Sequence, residues 1–109
     1  MLKIRVLEIS GAPREMGRQH GQAYAEDIRR LAEERVRLSS DSIWTGVSMP
    51  RERVLALAEE CLAAHEIYAP EIVEEMRGMA DVTELSLPEL IILNGFTDFT
   101  DTLYALKYV

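Results

Sequence analysis

The sequence predicts an α+β chain, a short N-terminal strand followed by about four helices. Three observations carry this. Leu2, Ile4 and Val6 alternate with Lys3 and Arg5, the period of a half-buried strand. Apolar residues from Met16 onward recur at spacings of three and four, the period of a helix face. Pro13, Pro50, Pro70 and Ser86 stand where new helices would open.

The strand is expected over Leu2–Ile9, with Ser10-Gly11-Ala12-Pro13 as the turn that follows. Pro13 suits a first helical position. Met16, His20, Tyr24, Ile28, Leu31 and Arg35 then form one amphipathic stripe, which predicts a single long helix to about Ser39. Residues 39–49 read as a break. Ser48 is placed to cap a second helix with Pro50 and Glu52 in its first turn and a stripe of Val54, Leu57, Ala58, Cys61, Leu62, His65 and Tyr68. Pro70 interrupts it, because its ring clashes with the preceding turn. A third helix has Ile72, Met76, Met79 and Ala80 on its stripe, and Asp81–Ser86 reads as a connector. Ser86-Leu87-Pro88-Glu89 has the spacing of a capping box and opens a fourth helix.

The 109 residues bound the chain to one domain without internal boundary. A hydrophobic share of 48% with 28% charged residues is a globular balance. The net charge of -7 argues against nucleic acid and against an anionic membrane surface as partners. No apolar run reaches the length of a membrane span, and the N-terminus lacks the pattern of a signal peptide. With Cys61 the only cysteine, no disulfide closes within the chain, and a cytoplasmic location is the expectation. Two features are odd for an independent domain. The strand has no second strand to pair with, and the chain ends on Leu103, Tyr104, Leu106, Tyr108 and Val109. Both lead to the expectation that part of the fold lies on another chain.

Few residues offer chemistry. His20 and His65 have no clustered ligands of the kind a metal needs, so no metal and no cofactor is expected. Cys61 sits in an apolar stripe beside Glu59 and Glu60, the wrong sign for a reactive thiolate. Gly17 and Gly21 are four apart in a helix that each of them weakens, which points to another backbone packed against that face. Near the end, Asn94, Thr97, Asp98, Thr100, Asp101 and Thr102 interleave with Phe96 and Phe99. Such a cluster lines a pocket or forms a solvated helix face.

Three stretches together resemble the penicillin acyltransferase-like family of N-terminal-nucleophile enzymes. Gly11-Ala12-Pro13-Arg14-Glu15-Met16-Gly17-Arg18-Gln19-His20-Gly21 is similar to that family's opening G-x-P-x-E-apolar-G-x-x-H-G. Glu74-Glu75-Met76-Arg77-Gly78-Met79-Ala80 is similar to its E-E-apolar-R-G-apolar-A, and Leu93-Asn94-Gly95-Phe96-Thr97-Asp98-Phe99 to its L-N-x-R-T-E-F. They keep the family's order and roughly its spacing. Phe96 stands in place of an arginine and Asp98 of a glutamate, departures that argue against penicillin as the substrate; Val109 stands in place of the usual glycine, which bears on where the cut falls.

The resemblance implies an N-terminal alpha fragment of a precursor that cuts itself before a cysteine, here just after Val109. It implies an αββα sandwich completed by a second, larger beta chain from the same precursor. That chain would bear the nucleophilic cysteine, and the substrate would be a small-molecule amide or acyl thioester. The present chain would contribute no catalytic group. Asn94, Phe96, Thr97, Asp98, Phe99 and Asp101 would wall the substrate pocket. The alternative is an acidic helical interaction module that homodimerises.

Overall fold

The computed structural model describes residues 4–106, and those residues form eight helices. These are α1 (Pro13–Ala23), α2 (Ala25–Ser39), α3 (Ser42–Thr45) and α4 (Arg51–Glu60), followed by α5 (Leu62–Tyr68), α6 (Pro70–Thr83), α7 (Leu87–Asn94) and α8 (Phe96–Leu106). They pack into a slab of 44 × 40 × 21 Å, about two helix diameters thick. α7 runs through the middle with Leu90, Ile91, Ile92 and Leu93 all buried. Ile28, Ala32 and Val36 of α2, Val54 and Ala58 of α4, Val73, Met76 and Met79 of α6, and Phe99 and Leu103 of α8 close around it.

The α+β expectation is corrected: the described residues contain no strand. Residues 4–9 are irregular, with Ile4 86% and Val6 84% exposed. Alternation specifies a strand only where a neighbour takes its backbone groups, and none does here. Side chains tether the segment instead. Arg5 reaches Asp27, and Gln19 holds Ser10 by accepting from its backbone N–H and donating to its carbonyl. The first part of the expected strand, residues 1–3, and the end of the apolar tail, residues 107–109 with the expected cut after Val109, lie outside the described residues.

The helix bounds differ from expectation where tertiary packing decides. The long first helix divides at Tyr24 (φ -130°, ψ 28°). α1 is held against α6, and α2 must turn there to lay Ile28, Ala32 and Val36 onto the core. The expected break holds the short α3, where Asp41 accepts from the Ile43 N–H and Gly46 takes a left-handed φ of 78°. α4 starts at Arg51 with Pro50, not Ser48, in the capping position. The stripe predicted through His65 and Tyr68 fails after Leu62, because α5 buries nothing and Tyr68 is 92% exposed. α6 runs on to Thr83 through the expected connector and ends on Glu84 at φ 66°, a left-handed position that glycine or asparagine usually fills. The capping box forms as read, with Ser86 accepting from the Glu89 N–H and Glu89 reaching back.

α1 and α6 meet backbone to backbone. A Cβ on Gly17 would stand 1.9 Å from the Glu75 carbonyl oxygen, and one on Gly78 2.0 Å from that of Arg14. A Cβ on Gly21 would meet Val82 Cγ2 at 2.5 Å. The approach expected from Gly17 and Gly21 is therefore present, and Gly78 is its third member. An ionic fork closes one end. Arg14 donates through Nε and Nη2 to the two Asp81 oxygens, each at 3.0 Å, and Arg18 adds a bond to Oδ2.

Gly17→Ala and Gly78→Ala should each destabilise the fold. Overpacking costs about 1–3 kcal/mol, against a helix-propensity gain of about 1 kcal/mol for leaving glycine. Gly95→Ala, whose Cβ would have only the Ile91 carbonyl at 3.4 Å, should stay within about 0.5 kcal/mol. Denaturant unfolding of the three variants decides, and a stabilised Gly17→Ala would refute the close approach. The hydrogen bonds from Arg14, then its charge and Arg18, hold the Asp81 carboxyl below its ordinary range against a smaller opposing cost of burial. A depressed folded-state pKa adds stability above the ordinary carboxylate range and loses it as pH falls through the folded value. Asp81→Asn should therefore be less stable than the parent at neutral pH, with the difference closing in acid. A pH-independent difference would show that the fork does not titrate with folding.

Candidate functional site

α1 and α2 diverge at Tyr24, and α6 and the end of α7 pass behind them. A cleft of about 430 Å³ opens at this divergence. Its apolar wall is Ile28 and Leu31 of α2, Met79 of α6 and Leu93 of α7; its polar rim is His20, Tyr24, Asp27, Arg35 and Asn94. Helical spacing explains the first wall, since His20, Tyr24, Ile28, Leu31 and Arg35 belong to the one stripe that the sequence displays.

The rim is ordered by arginines. The Arg5 guanidinium lies 4.5 Å from the Tyr24 ring centroid and donates to Asp27 Oδ2 at 2.7 Å. That hydrogen bond, reinforced by the Arg5 charge, holds the Asp27 carboxyl below its ordinary range. His20 meets the Tyr24 ring edge-on at 6.0 Å between centroids. Arg35 is half-buried, donates from Nη1 to the Leu93 carbonyl and stands 5.3 Å from the Phe96 ring centroid. Trp44 packs against the same ring at 6.4 Å, edge to face.

The six residues expected to wall a pocket do not converge on one cavity. Asn94 is exposed and reaches three adjoining clefts, the large one and two smaller. Phe96, Thr97 and Asp98 share one of the smaller clefts, about 170 Å³, with Asn94 and Arg35. Phe99 is 5% exposed and faces, with Asp98, a separate hollow near Cys61 and His65. Asp101 is exposed and lies in none of these clefts. His20 and Arg35 went unassigned as site residues from the sequence. Their signal was polar side chains embedded in an apolar stripe.

Cys61 and His65 make no catalytic pair. The Cys61 thiol bonds to the Leu57 carbonyl at 3.4 Å, and His65 Nδ1 donates to the Cys61 carbonyl at 2.7 Å. Among the described residues no group of three or more histidine, cysteine or acidic side chains could hold a metal ion. Among the described residues no helix is long and apolar enough to cross a membrane.

No family model matches the chain, and no solved structure matches it. The chain is similar to a protein of Archaeoglobus fulgidus described as an "Uncharacterized protein", 34% identical over 80 residues. The match takes in 70% of this chain and 13% of the archaeal protein, so the chain spans a small part of that relative's length.

Arg5→Gln should return the Asp27 carboxyl toward its ordinary range, because the hydrogen bond and charge that depress it are both removed. Carboxyl-carbon NMR titration of Asp27 in the two proteins reads this directly. An unmoved midpoint would mean that Arg5 does not occupy the rim in solution.

Proposed function

We propose that this chain is the N-terminal, non-nucleophilic segment of a self-processing acyltransferase or amide hydrolase that works in the cytoplasm on small-molecule amides or acyl thioesters. One observation supports the reading above the others. The three stretches that resemble the penicillin acyltransferase-like family are far apart in sequence, yet they meet. The first supplies Gly17 and Gly21 and the second Gly78, which pack together at the α1–α6 crossing. His20 of the first, Met79 of the second, and Leu93 and Asn94 of the third line the same cleft.

In this reading the peptide bond before a cysteine that follows the present chain is cut by the cysteine's own thiol. The thiol attacks the preceding carbonyl, giving a thioester, and water hydrolyses that thioester. The new N-terminal amine has an ordinary pKa of about 7.7–8.0, so it can take the thiol proton near neutral pH. The thiolate then attacks the substrate carbonyl. Release of the acyl group to water is hydrolysis, and release to an amine is transfer. An oxyanion hole is required and belongs to the larger chain. Asn94, Phe96, Thr97 and Asp98 contribute wall to the substrate pocket. Phe96 and Asp98, where the family has arginine and glutamate, shape it for an acyl or amine group other than that of penicillin.

A second reading, the homodimerising interaction module, draws on Ile67 at 85%, Tyr68 at 92% and Ile72 at 54% exposure around the α5–α6 corner.

Expression of the complete reading frame that encodes this chain, followed by intact-mass and N-terminal analysis, separates the two. Self-cleavage gives two chains, the larger beginning with cysteine, and replacing that cysteine with alanine leaves the precursor whole. A frame with no cysteine within a few codons of Val109, or a precursor that remains uncut, overturns the enzyme reading. An uncut protein that is a dimer by ultracentrifugation favours the module.

A further inference from the structure

The large cleft is lined by a cation, Arg35, that forms no ion pair among the described residues. Acidic residues outnumber basic ones, 19 to 12, so a carboxylate partner for any arginine is easily found. Arg5, Arg14, Arg18, Arg30, Arg37, Arg51 and Arg77 all have one. Arg35 has none among the described residues. It spends one N–H on the Leu93 carbonyl and lies against Phe96. A guanidinium carries five N–H donors in a planar fork, and that of Arg35, with one hydrogen bond among the described residues, lines the cleft. Two acidic groups stand near. Asp27 is taken by Arg5, and Asp98 lines the adjoining small cleft without forming an ion pair to Arg35. Arg29 and Arg53 also have no carboxylate partner among the described residues, but neither lines these clefts.

One wall of the cleft is apolar, and the space is of ligand size. Ile28, Leu31, Met79 and Leu93 make a continuous greasy wall next to the guanidinium. A volume of about 430 Å³ falls within the roughly 300–1,000 Å³ of small-molecule sites. Leu31 is 44% exposed, an apolar side chain at the wall of a concavity.

We propose that this cleft binds a small amphiphilic carboxylate, an aliphatic or arylalkanoic acid. Its carboxylate takes the open N–H groups of Arg35, and its chain lies along Ile28, Leu31, Met79 and Leu93. Bidentate pairing of a carboxylate with a guanidinium favours this head group over a neutral amide or alcohol of the same shape. Asn94 and His20, also on the rim, offer hydrogen bonds to a second polar group on the ligand. The site stands independently of acyl transfer, because its occupant is recognised by charge and shape alone.

Calorimetric titration of the full-length protein with octanoate and with octanamide tests it. Octanoate should bind saturably and at least about tenfold more tightly than octanamide, the margin of one charge-assisted hydrogen bond. Arg35→Gln should remove that preference. Because Arg35 also braces Leu93 and Phe96, a second variant guards against misfolding. Leu31→Asp, at an exposed position, should keep the far-ultraviolet dichroism and melting of the parent and lose octanoate binding by about tenfold or more. No saturable binding, equal binding of the two ligands, or undiminished binding by a folded Leu31→Asp would each overturn the proposal. Turnover is not the readout, so a protein that never self-cleaves can still pass or fail.

Discussion

Backbone contact between α1 and α6 is the constraint from which the remaining architecture follows. With no Cβ at Gly17 or Gly78, the two helices approach until the carbonyls of Glu75 and Arg14 occupy the space that side chains would fill. Dispersion and close packing supply the attraction, and the Arg14–Asp81–Arg18 fork adds direction at one end across 67 residues of sequence. With α1 committed to α6, α2 has to leave at Tyr24 to reach α4 and α7, and the cleft is the space left by that divergence. The site is thus a by-product of helix geometry before it is a feature of any one side chain.

Local chemistry was legible where it acts alone. Pro13 and Pro70 do begin helices, and Ser86 with Glu89 forms the box that its spacing announces. Gly17 and Gly21 signalled a neighbouring backbone because two glycines in one helix cost too much to be idle. The strand was not legible as irregular chain. Alternation at residues 2–9 describes only which side chains could share a face, while pairing depends on a partner that pattern cannot name. The break at Tyr24 carries no glycine or proline, and α6 ends on Glu84 in a conformation that its side chain disfavours. Both are settled by what the helices pack against.

The candidate site divides in the same way. Of the residues that stood out by composition, Asn94 and Phe96 border one small cleft, Phe99 is buried beside another hollow, and Asp101 is exposed. Arg35 has the register of the amphipathic stripe, which by itself marks it only as a member of that face. Its importance depends on Leu93, on Phe96 and on its forming no ion pair among the described residues, none of which is local. Surface ion pairs such as Arg30–Glu26 and Arg37–Glu34 contribute little by comparison. The slab is held by buried α2, α4, α6, α7 and α8 side chains, and the buried hydroxyls of Ser39, Thr45 and Thr83 all find carbonyls.

A helix that touches its neighbour through side chains can roll or slide a little, because rotamers absorb the motion. One that touches through its main chain has no such bearing. If α1 turned on its axis, an atom larger than hydrogen would meet the Glu75 carbonyl, and if it slid by a turn, Gly17 would lose its socket. The pair α1–α6 therefore behaves as a single stiff plate, and the wall of the cleft that bears His20 and Met79 is fixed in place. The opposite wall has no such main-chain lock: α2 departs at Tyr24 and is tied to the end of α7 by the Arg35 side chain.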